Sequence, residues 1–192
     1  MGRYNYLMSE ERIALLCPNV RGSRGYGKRH LKADNGMSRA LVMLDVQRLR
    51  NAISADSYFD ANRIAVMGGS YGGFMTLHSM VVLNNFVKCG VDVVGISNFV
   101  TFLKNTSDYR RDLRRVEYGD ERDPKMRAFL EKISPNNNAH KITKPMFIAQ
   151  GYNDPRVPVT ESDQMVVDIA PTTVPPATDP LGTLPSFFAH SD

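Results

Sequence analysis

Cysteine is scarce in this 192-residue chain, where Cys17 and Cys89 stand alone without a CxxC pair or a histidine at metal spacing. That excludes both a zinc site of the usual kind and a disulfide framework, and the two thiols, set among apolar residues, are expected to be buried. Long apolar runs are missing too. Nothing approaches the ~18 residues of a membrane helix, and the first residues, MGRYNYLMSEER, lack the apolar centre of a secretory leader. No membrane partner is implied, and the compartment stays unknown, cytoplasmic only by default because any leader would lie upstream. Charge of one sign is in small excess, with 24 Lys and Arg against 20 Asp and Glu, a net +4. The densest basic stretch, Tyr109 to Arg115, runs straight into Glu117, Asp120, Glu121 and Asp123, so it reads as a solvated helix face and not a nucleic-acid site. No GxGxxG or GK[ST] pattern is present, so neither a dinucleotide fingerprint nor a P-loop is indicated, and no cofactor is expected.

What is there points to an α/β fold. A chain of this length can bury roughly 70% of its unfolded surface. Apolar runs at Ile13–Cys17, Arg63–Met67, Val91–Ile96 and Pro145–Ala149 read as strands, separated by helical patterns over Ser38–Ile53, Phe74–Val82 and Lys125–Ile133. Strands of nearly continuous apolar character alternating with helices predict a mostly parallel sheet with helices on both faces. The end differs: Pro171 onward holds five of the eleven prolines, and no Lys or Arg follows Arg156. Residues 1–167 are therefore read as the folded domain and 168–192 as a Pro/Thr-rich tail expected to be disordered.

The most informative stretch is Val66-Met67-Gly68-Gly69-Ser70-Tyr71-Gly72-Gly73, a strand running into a helix through four glycines. Gly-x-Ser-x-Gly in that context is a nucleophile elbow, in which the turn is too tight for side chains around the serine and its hydroxyl projects above the sheet edge. Gly68 and Gly72 satisfy the spacing, and Gly69 and Gly73 relieve further crowding. The helix also aims the Tyr71 N–H at the serine, one donor for an oxyanion. A glycine-rich turn that merely packs closely, or cradles a phosphate, is the alternative.

A serine hydroxyl needs a histidine to take its proton and a carboxylate to orient that histidine. Asp154, in Gln150-Gly151-Tyr152-Asn153-Asp154-Pro155-Arg156, follows the fourth predicted strand and emerges at the edge where Ser70 stands, although an Asp-Pro there also suits a plain turn. Of the four histidines, His78 lies about 12 Å along the helix after Ser70, and His140 precedes a strand and belongs at the opposite sheet edge. His30 stands among Lys28, Arg29 and Lys32. His190 follows Asp154 by 36 residues, but no strand is predicted before it and no glycine surrounds it.

Taken together, PNVRGSRGYG, RIAVMGGSYGGFM, ISP with a later KP, and NDPRVP with ESDQM resemble the hydrolase domain of the prolyl oligopeptidase family of serine peptidases, from Tyr4 to about Val167. GxSxG alone is shared with esterases and lipases; the ordered set of motifs is more specific. The resemblance implies an α/β-hydrolase domain hydrolysing peptide bonds through an acyl-enzyme on Ser70, with Asp154 as triad acid and Arg156 holding a substrate carbonyl, unless Arg156 only forms a surface salt bridge. It implies a peptide substrate and, in many relatives, a β-propeller domain that this chain lacks. The family's His-Gly-Gly-Pro-like loop, its first strands and its Gly-His-Gly-like last loop are not found, and one of the missing strands would lie between Ile13–Cys17 and Ile64–Met67, so either those two pair directly or the sheet has an open edge. His190 is the remaining candidate base. Loss of a triad member leaves only ~10³ to 10⁴ over water, and an oxyanion donor is worth a further ~10² to 10³. The chain is therefore expected to be impaired as a peptidase, the alternatives being an inactive fragment, a binding remnant or a small-ester hydrolase.

Overall fold

Apolar runs alternating with amphipathic segments set the architecture, which a computed structural model describes for residues 4–173 and 188–191. Short helices α1 (Asn5–Ser9) and α2 (Gly27–Leu31) and a 3-10 turn over Gly36–Leu41 lead into α3 (Val42–Ala55). Strand β1 (Ile64–Gly69) feeds α4 (Tyr71–Val82), and β2 (Val87–Val93) is followed by α5 (Phe99–Asn105), α6 (Asp108–Tyr118) and α7 (Pro124–Ile133). A 3-10 turn over Asn136–Lys141 precedes β3 (Met146–Gly151), then come α8 (Thr160–Thr173) and β4 (Phe188–Ser191). The strands form one sheet in the order β1-β2-β3-β4, each parallel to its neighbour. Parallel neighbours need crossovers, so the carboxyl ends of all these strands meet one edge of the sheet.

Local chemistry fixes the helix ends. Asn98 caps α5 by accepting from the N–H groups of Val100 (2.9 Å) and Thr101 (3.4 Å). Asp123 caps α7 through the Met126 N–H at 2.7 Å, with Pro124 in the first turn, where its missing N–H costs nothing. Gly119, at φ 106, ends α6 in a backbone conformation that side chains resist. Helix α4 is the hub. Its Phe74 packs with Ile96, Phe99, Leu103, Tyr118 and Leu130, while its Leu77 and Met80 join Val87, Ile142, Ile148 and Met165.

Four expectations need correction. Ile13–Cys17 forms no strand, Ile13 and Leu16 are 48% and 55% exposed, and Cys17 is exposed, whereas Cys89 in β2 is half-buried. An apolar run becomes a strand only beside another, and β1 is an edge of this sheet, so the open-edge alternative is the one realised among the described residues. Strand β2 starts four residues early, at Val87, with Lys88 on an exposed face, and stops at Val93, because Val94 takes φ 51 and leaves extended geometry. Phe188–Ser191, where no strand is predicted, pairs with β3 from Ile148↔Phe188 to Gly151↔Ser191. The disorder expected of the tail falls, for residues 174–187 and 192, outside the described residues.

One face of the sheet is well covered. Val66 on β1 and Met146 and Ile148 on β3 pack with Leu77 and Met80 of α4 and Met165 of α8 in one cluster. A parallel sheet is expected to carry helices on both faces. On the opposite face, among the described residues, Met67, Val93 and Phe147 remain 49%, 39% and 39% exposed.

Candidate active site

The β1–α4 junction is a strained turn. Ser70 takes φ 56 and ψ −117, a conformation costing ~1–3 kcal/mol for a residue with a Cβ. Two backbone hydrogen bonds hold it there: the Ser70 N–H donates to the Val93 carbonyl at 3.0 Å, and its own carbonyl accepts from Phe74 N–H at 3.1 Å. The result is an exposed serine at the carboxyl edge of the sheet. The glycines around it differ in necessity. A Cβ on Gly68 would collide with the Gly72 carbonyl, and one on Gly73 with Asp92 Oδ1 and the Gly95 backbone. Gly69 would bring a Cβ to 3.3 Å from the Val93 carbonyl, whereas around Gly72 there is open space. Tyr71 is the first residue of α4, so its N–H has no acceptor within the helix and lies at the positive end of the helix dipole.

The loop after β3 is fastened from two sides. Thr106 and Ser107, between α5 and α6, donate their hydroxyls to the carbonyls of Arg156 (2.8 Å) and Pro155 (2.6 Å). From beneath, Gln150 Nε2 donates to the Val157 carbonyl at 3.0 Å and Gln150 Oε1 accepts from Ser162 Oγ at 3.0 Å. Within that loop the Asp154 side chain is 9% exposed. Its Oδ1 accepts from the N–H groups of Arg156 (2.7 Å) and Val157 (3.2 Å), and Oδ2 faces Arg156 Nη2 at 3.3 Å. Burial works against the carboxylate, but those N–H groups and the guanidinium outweigh it and hold its pKa below the ordinary range. Arg156, 61% exposed at its side chain, thus has Asp154 as its partner.

Sheet register relates these groups. Gly69 is level with Val93, Val93 with Ala149, and the next row holds Gln150 and His190. At ~4.8 Å per strand, Ser70 leaves the sheet about 10 Å from the end of β3 and about 14 Å from His190 on β4, all on one edge. The structure therefore brings Ser70 and the Asp154 loop to a common rim and leaves two strands between Ser70 and the His190 backbone. The other histidines are engaged elsewhere or remote: His30 Nε2 pairs with the Val20 carbonyl at 3.1 Å, His78 Nδ1 with the Ile133 carbonyl at 3.0 Å, and His140 is exposed before β3. Among the described residues no group of His, Cys, Asp and Glu is arranged to hold a metal ion.

Sequence reasoning missed the groups that brace the elbow. Arg39, fully buried, pairs with Asp34 at 3.1 Å, donates to the Glu117 carbonyl at 3.0 Å, and lies 4.8 and 4.4 Å from the ring centres of Tyr71 and Tyr118. Burial raises the pKa of the Tyr71 phenol, and that of Tyr118 is pushed up to about 12, so both stay neutral hydrogen-bonding groups. Glu161, buried at the start of α8, accepts from Asn98 N–H (2.8 Å), Ser97 N–H (3.1 Å), Ser97 Oγ (3.0 Å) and Thr101 Oγ1 (2.5 Å). It joins the β2–α5 turn to the helix behind the Asp154 loop. Only one such group left a sequence signal, Asp92, a carboxylate inside the apolar run Val91-Asp92-Val93-Val94.

Comparisons with known proteins agree with this fold. The chain is 35% identical over 175 residues to dipeptidyl peptidase family member 6 of Caenorhabditis elegans, a match covering 89% of the chain and 24% of that protein. It is 34% identical over 177 residues to dipeptidyl aminopeptidase BIII of Pseudoxanthomonas mexicana, covering 91% and 26%. Among solved structures, apo prolyl oligopeptidase B of Galerina marginata superposes with a TM-score of 0.74 at 18% identity, covering 90% of this chain and 24% of that one. A puromycin-hydrolyzing peptidase of Mycobacterium tuberculosis gives 0.69 at 24% identity, covering 90% and 24%. The chain thus spans about a quarter of the length of the relatives it matches. The model of the prolyl oligopeptidase family matches residues 3–175, and the chain belongs to that family of serine peptidases.

Proposed function

We propose that this chain carries the acyl-transfer site of a peptidase, with Ser70 attacking a peptide carbonyl, the Tyr71 N–H stabilising the oxyanion and Asp154 orienting a histidine base. The observation that carries the reading is the strained backbone of Ser70 at φ 56, which presents its hydroxyl on the rim where the Asp154 loop also emerges. Backbone strain of that size at an exposed polar residue is kept where surroundings enforce it, and enforced strain clusters at sites that use it. Arg156 beside Asp154 would offer its exposed guanidinium to a substrate carbonyl. His190 is the candidate base, and names such as dipeptidyl aminopeptidase among the relatives support peptides as the substrate class.

A second reading, a remnant with little or no turnover, is favoured by one observation. At ~4.8 Å per strand, the His190 backbone is three strand spacings from β1, about 14 Å, which exceeds the combined reach of an imidazole and a serine hydroxyl. The test is a fluorophosphonate probe on the purified chain. Labelling that vanishes in Ser70→Ala supports an activated serine, and comparison of peptide amides with short esters then separates peptidase from esterase. Folded protein that takes no label supports the remnant.

A further inference from the structure

Strand β2 carries a carboxylic acid in its most enclosed stretch. Asp92 is 1% exposed, and its Oδ1 is enclosed with no hydrogen-bond partner among the described residues. Two glycine positions lie close against it. A carbon added at Gly73, in the first turn of α4, would collide with Oδ1, and one added at Gly95, just after β2, would overlap the same carboxyl. The carboxyl therefore fills a slot that two glycines leave open, wedged between the start of α4 and the β2–α5 turn. In the sheet Asp92 stands opposite Gly68, and the next carbonyl along its strand, that of Val93, receives the Ser70 N–H. One side chain thus abuts the helix that follows Ser70 and belongs to the strand to which Ser70 is tethered.

Charge that could compensate an anion is absent from the elements packed around it. Ile64–Gly69 and Met146–Gly151 contain no charged residue. The titratable groups of α4 are Tyr71, whose hydroxyl is directed to Asp34, and His78, held by the Ile133 carbonyl. Lys88, on β2 itself, is exposed, and Glu161 of α8 is taken up by Ser97, Asn98 and Thr101. Burial alone pushes the Asp92 pKa up to about 7. In such a place the neutral acid is much the cheaper form.

We propose that Asp92 is a positioning residue for the elbow, seated as the neutral acid, and that loss of its proton loosens the first turn of α4 and the presentation of Ser70. The consequence for Ser70 rests on the nucleophile reading above; the coupling between this proton and α4 does not. The sign follows from linkage. An acid whose folded pKa is raised binds its proton more tightly in the folded state, so its stabilisation is complete below the ordinary carboxylate range and is lost as pH rises through about 7.

The experiment compares the wild-type chain with Asp92→Asn, which fills the slot but does not ionise. The thermal midpoint of the wild type, relative to the variant, falls between pH 5 and 8, and exchange protection of the Tyr71 to Phe74 amides, corrected for intrinsic rates, drops about tenfold or more over that range only in the wild type. A fluorophosphonate labelling rate that declines over the same range in the wild type and not in the variant ties the proton to Ser70. A midpoint difference between the two proteins that does not change with pH overturns the proposal. Should Asp92→Asn fail to fold, the Asp92 carboxyl is followed directly by its carbon chemical shift in the wild type, where titration below pH 5 overturns the proposal and titration near neutrality supports it. Midpoints and exchange behaving as stated with no labelling at any pH would sink the nucleophile reading and leave this one standing.

Discussion

The Tyr71 hydroxyl donates to Asp34 Oδ2 at 3.1 Å, so the residue after Ser70 is anchored to a carboxylate 37 positions earlier in the chain. Asp34 is shared: Arg39 Nη1 donates to the same oxygen at 3.1 Å while its guanidinium lies close to the rings of Tyr71 and Tyr118. The start of α4 is thus held by a buried ion pair and an aromatic pair together, and each can be removed separately.

Removing Arg39 should be the costlier change. Breaking a buried pair leaves an uncompensated charge, so Arg39→Ala is expected to lose ~3–5 kcal/mol in urea unfolding, and Tyr71→Phe, which deletes one hydrogen bond, ~1 kcal/mol. Arg39→Met combined with Asp34→Asn should lose clearly less than the two single losses summed. Additive losses in that cycle would mean the pair is not coupled as the geometry requires.

The glycines of the elbow make a graded series. Gly68→Ala and Gly73→Ala press a Cβ into backbone at Gly72 and Gly95, with nothing flexible to yield at Gly68, so both should give little folded protein. Gly72→Ala meets open space inside a helix, where alanine is favoured by ~1 kcal/mol over glycine, and should fold as well as the wild type or better. Soluble yield and thermal midpoint check the order. Gly72→Ala as damaging as Gly68→Ala would contradict the packing described.

Why β1 and α4 were legible while the ends of the sheet were not has a physical cause. Ile64–Gly69 announces itself because a buried strand, a tight turn and a buried helix each constrain their own residues. Ile13–Cys17 has the same local character, but its pairing depends on a neighbouring strand, and no local pattern reports whether one is present. Phe188–Ser191 is four residues long, too short for periodicity to register. Asp34, Arg39 and Tyr71 meet across separations of up to 37 residues, and Arg39 reaches Glu117 at 78. Among the long-range relationships of the site, the rim shared by Ser70 and Asp154 was readable, since parallel strands put every carboxyl end on one edge.

Acid should act on the Asp154 loop with the opposite sign to its action on Asp92. The Asp154 pKa is lowered, so its contribution is present above the ordinary carboxylate range and is lost as pH falls through the folded value. The wild-type midpoint is expected to drop more steeply than that of Asp154→Asn below about pH 4, and the two curves should run parallel between pH 5 and 8. Parallel curves over the whole acid limb would show that the Arg156 and Val157 N–H groups do not hold an anion there.

The sheet face left uncovered among the described residues makes a prediction about solution behaviour. Met67, Val91 and Phe147 share one register row, so the exposed residues Met67 and Phe147, with Val93 beside them, lie together on one face next to the edge of β1 that is unpaired among the described residues. Apolar surface beside an open strand edge favours association at micromolar concentration. The chain should bind an anilinonaphthalene dye in its folded state and scatter more light as concentration rises. Met67→Lys combined with Phe147→Lys should reduce both while shifting the thermal midpoint little, because substitutions at exposed positions are usually worth within ~0.5 kcal/mol. If the double variant binds dye and associates as the wild type does, that face is not what the chain exposes.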